Sequence, residues 1–179
     1  MVDFLTTRGI EGATVLEIGG GVGDIEVDLL RRGAATATNL ELSPNYDVEA
    51  RELMDSHGLA DRMSRRSLDI ARQPDAVEAA DVVVLHRVVC CYPDYEALLA
   101  AAGSHARSML VFSHPTSNAP QRCAVALENL WNRLRGKQFR AFVHKPTAMI
   151  DVVERTGMLL ALRHRGPVWS VVGFERPMA

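Results

Sequence analysis

The sequence predicts a doubly wound α/β fold: a seven-stranded sheet, mostly parallel, closed by a C-terminal antiparallel strand pair. Three observations predict it. Apolar runs of strand length alternate with amphipathic stretches of helix length, the pattern of a parallel sheet covered by helices on both faces. The first apolar run ends in glycines that open a helix, as in Rossmann-like sheets. The last two runs are separated only by Arg165-Gly166-Pro167, a link too short to cross over, so those strands must be antiparallel.

Each element follows in order. The first strand, about 13–18, is apolar almost throughout, as a strand buried on both faces should be. A helix over about 23–32 places Ile25, Val27, Leu29 and Leu30 on its apolar positions. A second strand covers about 35–42. Ser43 and Pro44 then fit the cap and first turn of a helix running to about 57. A weaker third strand spans about 62–68, and 81–85 is the clearest strand in the chain. A helix from about 93 to 103 is rich in Leu and Ala, and 109–113 is the fifth strand. Helices over about 121–135 and 146–155 precede the last two strands, 159–164 and 168–174. The whole chain, 1–179, reads as one domain with a short N-terminus and a helical insert at about 119–136.

Bulk properties narrow the function. The 179 residues suit one sizeable core. A formal net charge of -2, with 47% hydrophobic and 23% charged residues, argues against a nucleic-acid binder, which shows a basic face. The Arg62, Arg65 and Arg66 cluster reads as a solvated strand edge. No apolar run reaches the roughly 20 residues that span a bilayer, and the first residues lack a signal-peptide pattern. Cys90 and Cys91 are adjacent, Cys123 stands apart, and no CxxC spacing exists, so a reduced, cytoplasmic protein is expected. No metal site is expected, because no His, Cys and carboxylate grouping has ligand spacing.

The loop Glu17-Ile18-Gly19-Gly20-Gly21-Val22-Gly23 carries the chemistry. A strand ends, the chain turns sharply and a helix begins with its N–H groups free. Gly19 and Gly21 let a ligand approach the backbone. The free N–H groups and helix dipole favour a carboxylate or phosphate. Dinucleotide binders use G-x-G-x-x-G, whose third glycine falls here on Asp24. The spacing present is acidic-x-G-x-G-x-G. Glu41, ending the second strand about 20 residues past the loop, is placed to accept from both hydroxyls of a ribose. Leu68-Asp69-Ile70 follows the third strand, where Asp69 can accept from an adenine amino group and its apolar neighbours flank the ring.

Taken together, these residues resemble the class I S-adenosylmethionine-dependent methyltransferase family over nearly the whole chain. The resemblance implies S-adenosylmethionine as cofactor, with Glu17 and Gly19, Gly20, Gly21 and Gly23 around its methionine part. It implies Glu41 and Leu42 at the ribose and Leu68, Asp69 and Ile70 at the adenine. The segment from His86 to Asp94 would lie between cofactor and acceptor, with His86 touching the methionine part. This segment faintly resembles that of magnesium-protoporphyrin O-methyltransferases, although Cys91-Tyr92-Pro93 stands where those carry His-Tyr-Pro.

Methyl transfer needs alignment of nucleophile and methyl, and a base can take the proton from an oxygen acceptor. His86 is the first candidate base and His114, after the fifth strand, the second. Tyr92 reads as a packing residue, Cys90 and Cys91 as buried small hydrophobes, and His144-Lys145 as a solvated helix start. Val125, Leu127, Leu130, Trp131 and Leu134 in the insert either form a lid or pack on the sheet. A small-molecule acceptor, with oxygen as the atom, is expected because the asparagine-proline-aromatic motif of amino methyltransferases is absent. The short N-terminus leaves three alternatives: an open site, a site closed by the partner subunit of a homodimer, or a site that lacks its lid in this chain. An NAD(P)-dependent oxidoreductase and a non-catalytic S-adenosylmethionine-binding domain are the alternatives.

Overall fold

In the computed structural model, residues 1–136 and 140–177 are described. A short helix α1 (Val2–Thr6) leads into β1 (Thr14–Ile18), α2 (Asp24–Arg31), β2 (Thr36–Leu40), α3 (Asp47–Ser56) and β3 (Met63–Arg66). Then come β4 (Ala80–Leu85), α4 (Tyr95–His105), β5 (Ala106–Pro115), α5 (Ala119–Leu134) and α6 (Pro146–Glu154). The chain closes with β6 (Leu159–Arg165) and β7 (Trp169–Glu175). The sheet order is β3-β2-β1-β4-β5-β7-β6. The first five strands pair in parallel, and β7 runs antiparallel between β5 and β6. This is the predicted doubly wound seven-stranded sheet with its antiparallel pair.

Two apolar layers sandwich the sheet. On one face Leu16, Val83, Leu85, Leu110, Phe112 and Phe174 pack against Leu98 and Leu99 of α4 and Met149 and Val153 of α6. On the other, Val15, Val82, Val84 and Val111 meet Val27, Leu29 and Leu30 of α2 and Phe4 and Leu5 of α1. The alternation of β4 and β5 side chains between the two layers is the period of two that a strand imposes. Asp81 fastens the start of β4 to β1. One of its carboxylate oxygens accepts from both the N–H and the hydroxyl of Thr14, each at 2.8 Å. These bonds, the backbone N–H foremost, hold the Asp81 carboxyl below its ordinary range.

Several boundaries differ from the sequence reading for local reasons. The helix expected from Ser43 breaks in two. Ser43 Oγ accepts from Asn45 N–H at 3.3 Å and sets a 3-10 turn over Pro44–Tyr46 before α3 begins. The helix expected from Pro93 starts at Tyr95, because Asp94 caps it by accepting from Ala97 N–H at 3.0 Å. β5 is twice the expected length because it pairs with β4 on one side and with β7 out to Pro115 on the other.

The arginine cluster lies at the edge strand β3 with Arg62 and Arg66 exposed, as expected, whereas Arg65 is half-buried. Arg62 donates to the carbonyls of Leu30 in the last turn of α2 and of Ala34 and Ala35 between α2 and β2. Arg65 donates to the Gly21 carbonyl and, at 2.9 Å, to Asp47. In α5 only Val125 of the five apolar positions is buried. Leu127, Leu130, Trp131 and Leu134 are exposed, so they do not pack on the sheet. No helix is long and apolar enough to cross a membrane among the described residues.

Candidate functional site

The carboxyl ends of β1, β2 and β4 surround a cavity of about 480 Å³. A cleft at this edge is where an open α/β sheet binds its ligand. The glycine loop forms one wall. Gly19 has a left-handed φ of 67°, and a Cβ there would lie 2.4 Å from Val88 Cγ2, so only glycine lets the loop pass under that wall. The loop is pinned at three points. Gly19 N–H donates to Leu40 O at 2.6 Å, Gly21 O accepts from Arg65, and Gly21 N–H donates to Glu41 Oε2 at 3.0 Å.

Glu41 therefore has two tasks. Its other oxygen accepts from Ser43 N–H at 2.8 Å, so both carboxylate oxygens are held by backbone while the side chain lines the cavity. Asp69 stands opposite, itself fixed. It accepts from Ala71 N–H at 3.1 Å and from the Tyr92 hydroxyl at 3.0 and 2.9 Å. Tyr92 is thus more than a packing residue. Burial, then the bond to Asp69, raises its phenol above the ordinary value. Ile70 is buried and Leu42 is exposed, and both line the cavity together with Leu68.

Of the residues expected at the cofactor, Gly19, Gly21, Glu41, Leu42, Leu68, Asp69, Ile70 and His86 share this cavity. Glu17 and Gly20 line an adjoining hollow on the other side of the loop, with Asp24, Tyr46 and His86. Gly23 reaches neither. With φ 93° it caps α2, and its surroundings are Glu26, Met63 and Asn39. Its glycine serves the turn into the helix.

Beneath the loop lies a group that the sequence reading missed. Glu26 occupies an α2 position that is 0% exposed, and Asn39 of β2 is buried beside it. Asn39 donates to Glu26 Oε2 at 3.3 Å, while Glu26 Oε1, Asn39 Oδ1 and Glu17 Oε2 have no partner among the described residues. Burial pushes the Glu26 carboxyl up to about 8. Glu17, 2% exposed, is raised well above its ordinary value by burial and then by the charge of Glu26. Two acids this close and this dry share protons instead of both ionising. An acidic residue at an i, i+1 offset from apolar Val27 and Ile25 gave no sign of burial.

At the other end of the cavity, His86 is held by β5. Ser113 Oγ accepts from Arg87 N–H at 2.9 Å and lies 3.0 Å from His86 Nδ1. Which of the two donates depends on the imidazole tautomer: where the Ser113 hydroxyl donates to Nδ1, the ring carries its proton on Nε2. Burial, then the Arg87 charge, lowers the His86 pKa and keeps the ring neutral. Arg87 itself has a φ of 60° and lies over the Trp169 ring at 5.1 Å. His114 does not join this cavity. It is the next residue along β5 from Ser113, so its side chain leaves the opposite face and enters a cleft with Arg163 and Arg165.

Cys90 is buried as expected, but Cys91 is exposed and lines the cavity. Their sulfurs lie 3.6 Å apart. His144 is not a solvated helix start either. It lies 3.3 Å from Tyr92 O and packs against the rings of Tyr95 and Phe142. No group of three or more His, Cys, Asp or Glu is arranged to hold a metal among the described residues.

A sheet of this order, with a glycine loop and two acids along a sheet-edge cavity, is the arrangement in which open α/β sheets hold nucleotide-like cofactors. The sequence matches the methyltransferase domain family over residues 1–166, and the chain belongs to that family. It is an S-adenosylmethionine-dependent methyltransferase domain, which removes the NAD(P) reading.

Solved structures carry the same fold. Magnesium protoporphyrin IX methyltransferase from Synechocystis PCC 6803 with bound SAH is 18% identical, with a TM-score of 0.78, covering 98% of this chain and 80% of that one. An O-methyltransferase family protein from Burkholderia thailandensis is 21% identical at TM-score 0.78, covering 98% of this chain and 55% of that one. An S-adenosylmethionine dependent methyltransferase from Mesorhizobium loti is 14% identical at TM-score 0.74, covering 98% and 100%. No curated protein sequence matched the chain.

The cavity fits the cofactor. The space that a Cβ at Gly19 would occupy is taken by Val88, so the loop can lie flat against a ligand. Glu41 and Asp69 both line the cavity with carboxylates able to accept hydrogen bonds. The unpartnered Glu17 Oε2 offers an acceptor beneath the loop.

Proposed function

We propose that residues 1–179 act as a single domain transferring a methyl group to an oxygen atom of a small-molecule acceptor. The observation that carries this reading is the continuity of the cavity. It runs from Glu41 and Asp69, past Gly19 and Gly21, to a wall of His86, Arg87, Val88, Cys91 and Tyr92. Glu41 would hold the ribose, Asp69 with Ile70 the adenine, and Gly19 to Gly21 the methionine part. S-adenosylmethionine supplies an activated methyl group together with its own leaving group. What remains for the chain is to bind, align and exclude water. Names of fold neighbours, such as the O-methyltransferase family protein from Burkholderia thailandensis, support oxygen as the acceptor atom.

His86 is the residue nearest the reaction in this reading, with a different role from the base that its position in the sequence suggested. With Ser113 donating to Nδ1, its Nε2 presents a proton, so it orients an acceptor oxygen by donating a hydrogen bond. His114, in another cleft, takes no part. The test is methyl transfer from labelled S-adenosylmethionine to a panel of hydroxyl, carboxyl and amine compounds of small size. Labelled O-methyl products are expected, and label appearing in amines alone would reject the oxygen assignment. His86→Gln, which keeps a donor, should retain more activity than His86→Leu. Equal losses would reject the donor role.

A further inference from the structure

The cleft that takes His114 is built differently from the cofactor cavity. The β-sheet register puts Arg165 opposite Ser170 and Ser170 opposite His114, a row across three strands on one face. Arg163 lies one row away, opposite Val172. Directly opposed residues share a face of an antiparallel pair. The N-terminus of α6, at Pro146, and Ser117 close the cleft. No side chain caps that helix, and Lys145 stands at its N-cap position.

Two features show that the cleft is made for something. Arg163 and Arg165 form no ion pair or side-chain hydrogen bond among the described residues, although both line it. His114 is only 4% exposed, and its Nδ1–H donates to Pro115 O at 2.8 Å. Its Nε2 makes no hydrogen bond among the described residues, and the residue lines the cleft.

We infer that this cleft is a second binding site, for a phosphate group, separate from the cofactor cavity. A volume of about 20 Å³ holds one water-sized group. One phosphate oxygen would enter to His114 Nε2 and Ser170, while the others stay outside under the two guanidiniums. Guanidinium forks match phosphate geometry, and the α6 N-terminus adds partial positive charge. Burial, and then Arg163 and Arg165, depress the His114 pKa against its bond to Pro115, so an anion arriving here would draw a proton onto Nε2. The titratable groups lining the cleft with His114 are Arg163, His164 and Arg165 from β6, and Lys145 is the N-cap residue of the helix whose Pro146 also lines it.

The test is a titration of the intact chain with inorganic phosphate, following the His114 ring by NMR, with sodium chloride at matched ionic strength as control. Phosphate should move the His114 signals saturably toward the imidazolium position, and chloride should not. The doubly substituted Arg163→Gln/Arg165→Gln chain, changed only on an exposed edge strand, should bind at least about tenfold more weakly. S-adenosylmethionine should leave the phosphate affinity unchanged. No saturable shift, the same shift with chloride, or the same phosphate affinity in the double variant would overturn the assignment. In that case the arginines would only guard the β6 edge against strand pairing.

Discussion

Replacing Glu26 by Gln should make the protein more stable, and more so as the pH rises. Glu26 is fully buried with one hydrogen bond, from Asn39, and one oxygen without a partner. Its pKa is pushed from 4.5 to about 8 by burial, so the folded chain holds a proton there that the unfolded chain releases. The sign follows from linkage. Below pH 4.5 both states are protonated and the stability is fully present. It falls as the pH rises, until both states are ionised above about 8. At 1.36 kcal/mol per unit, the loss across that window is on the order of several kcal/mol, against a total of roughly 5–15 kcal/mol for a domain.

Gln has the same shape and no charge to bury, so it removes this slope at position 26. It also lowers the neighbouring Glu17 pKa, because the Glu26 charge is the second cause of that shift after burial. Urea unfolding between pH 5.5 and 8.5 measures this. Wild type should lose stability steadily with rising pH, and Glu26→Gln should fall less steeply and exceed wild type at pH 8. A wild-type curve that is flat or rising, or parallel curves for the two proteins, would refute the buried-acid argument.

Glu41→Ala should weaken S-adenosylmethionine binding by about 1–3 kcal/mol, the range for losing hydrogen bonds to a charged group. It should also lower the melting temperature, because the same carboxylate holds Gly21 and Ser43. Unchanged calorimetric affinity would reject the ribose assignment. Gly19→Ala should also weaken binding, since the added methyl meets Val88 at 2.4 Å in a left-handed backbone. Cofactor affinity should fall by about tenfold or more, and a variant that binds like wild type would show that the loop has room to move.

Much of this molecule was legible because its signals are periodic and local. β4 reads as a continuous apolar run since both its faces are buried, and Arg165-Gly166-Pro167 permits only a hairpin. The cavity walls were legible because glycine spacing, Glu41 and Asp69 fall at the ends of consecutive strands. What escaped depends on side chains meeting across the fold. Glu26 looks like any polar helix residue until the fold buries it beside Asn39. His86 and His114 look alike at the strand ends, yet Ser113 claims the first while the alternation of β5 sends the second to the other face. Arg65 looked solvated because neither Asp47 nor the Gly21 carbonyl is near it in sequence. Gly23 matched the glycine spacing but serves to cap α2.

The central claim is that the cavity at the ends of β1, β2 and β4 holds S-adenosylmethionine. Calorimetric titration of the chain with S-adenosylmethionine and, separately, with NAD tests it most directly. The account predicts saturable one-to-one binding of S-adenosylmethionine and none of NAD. Saturable binding of NAD without binding of S-adenosylmethionine would contradict it.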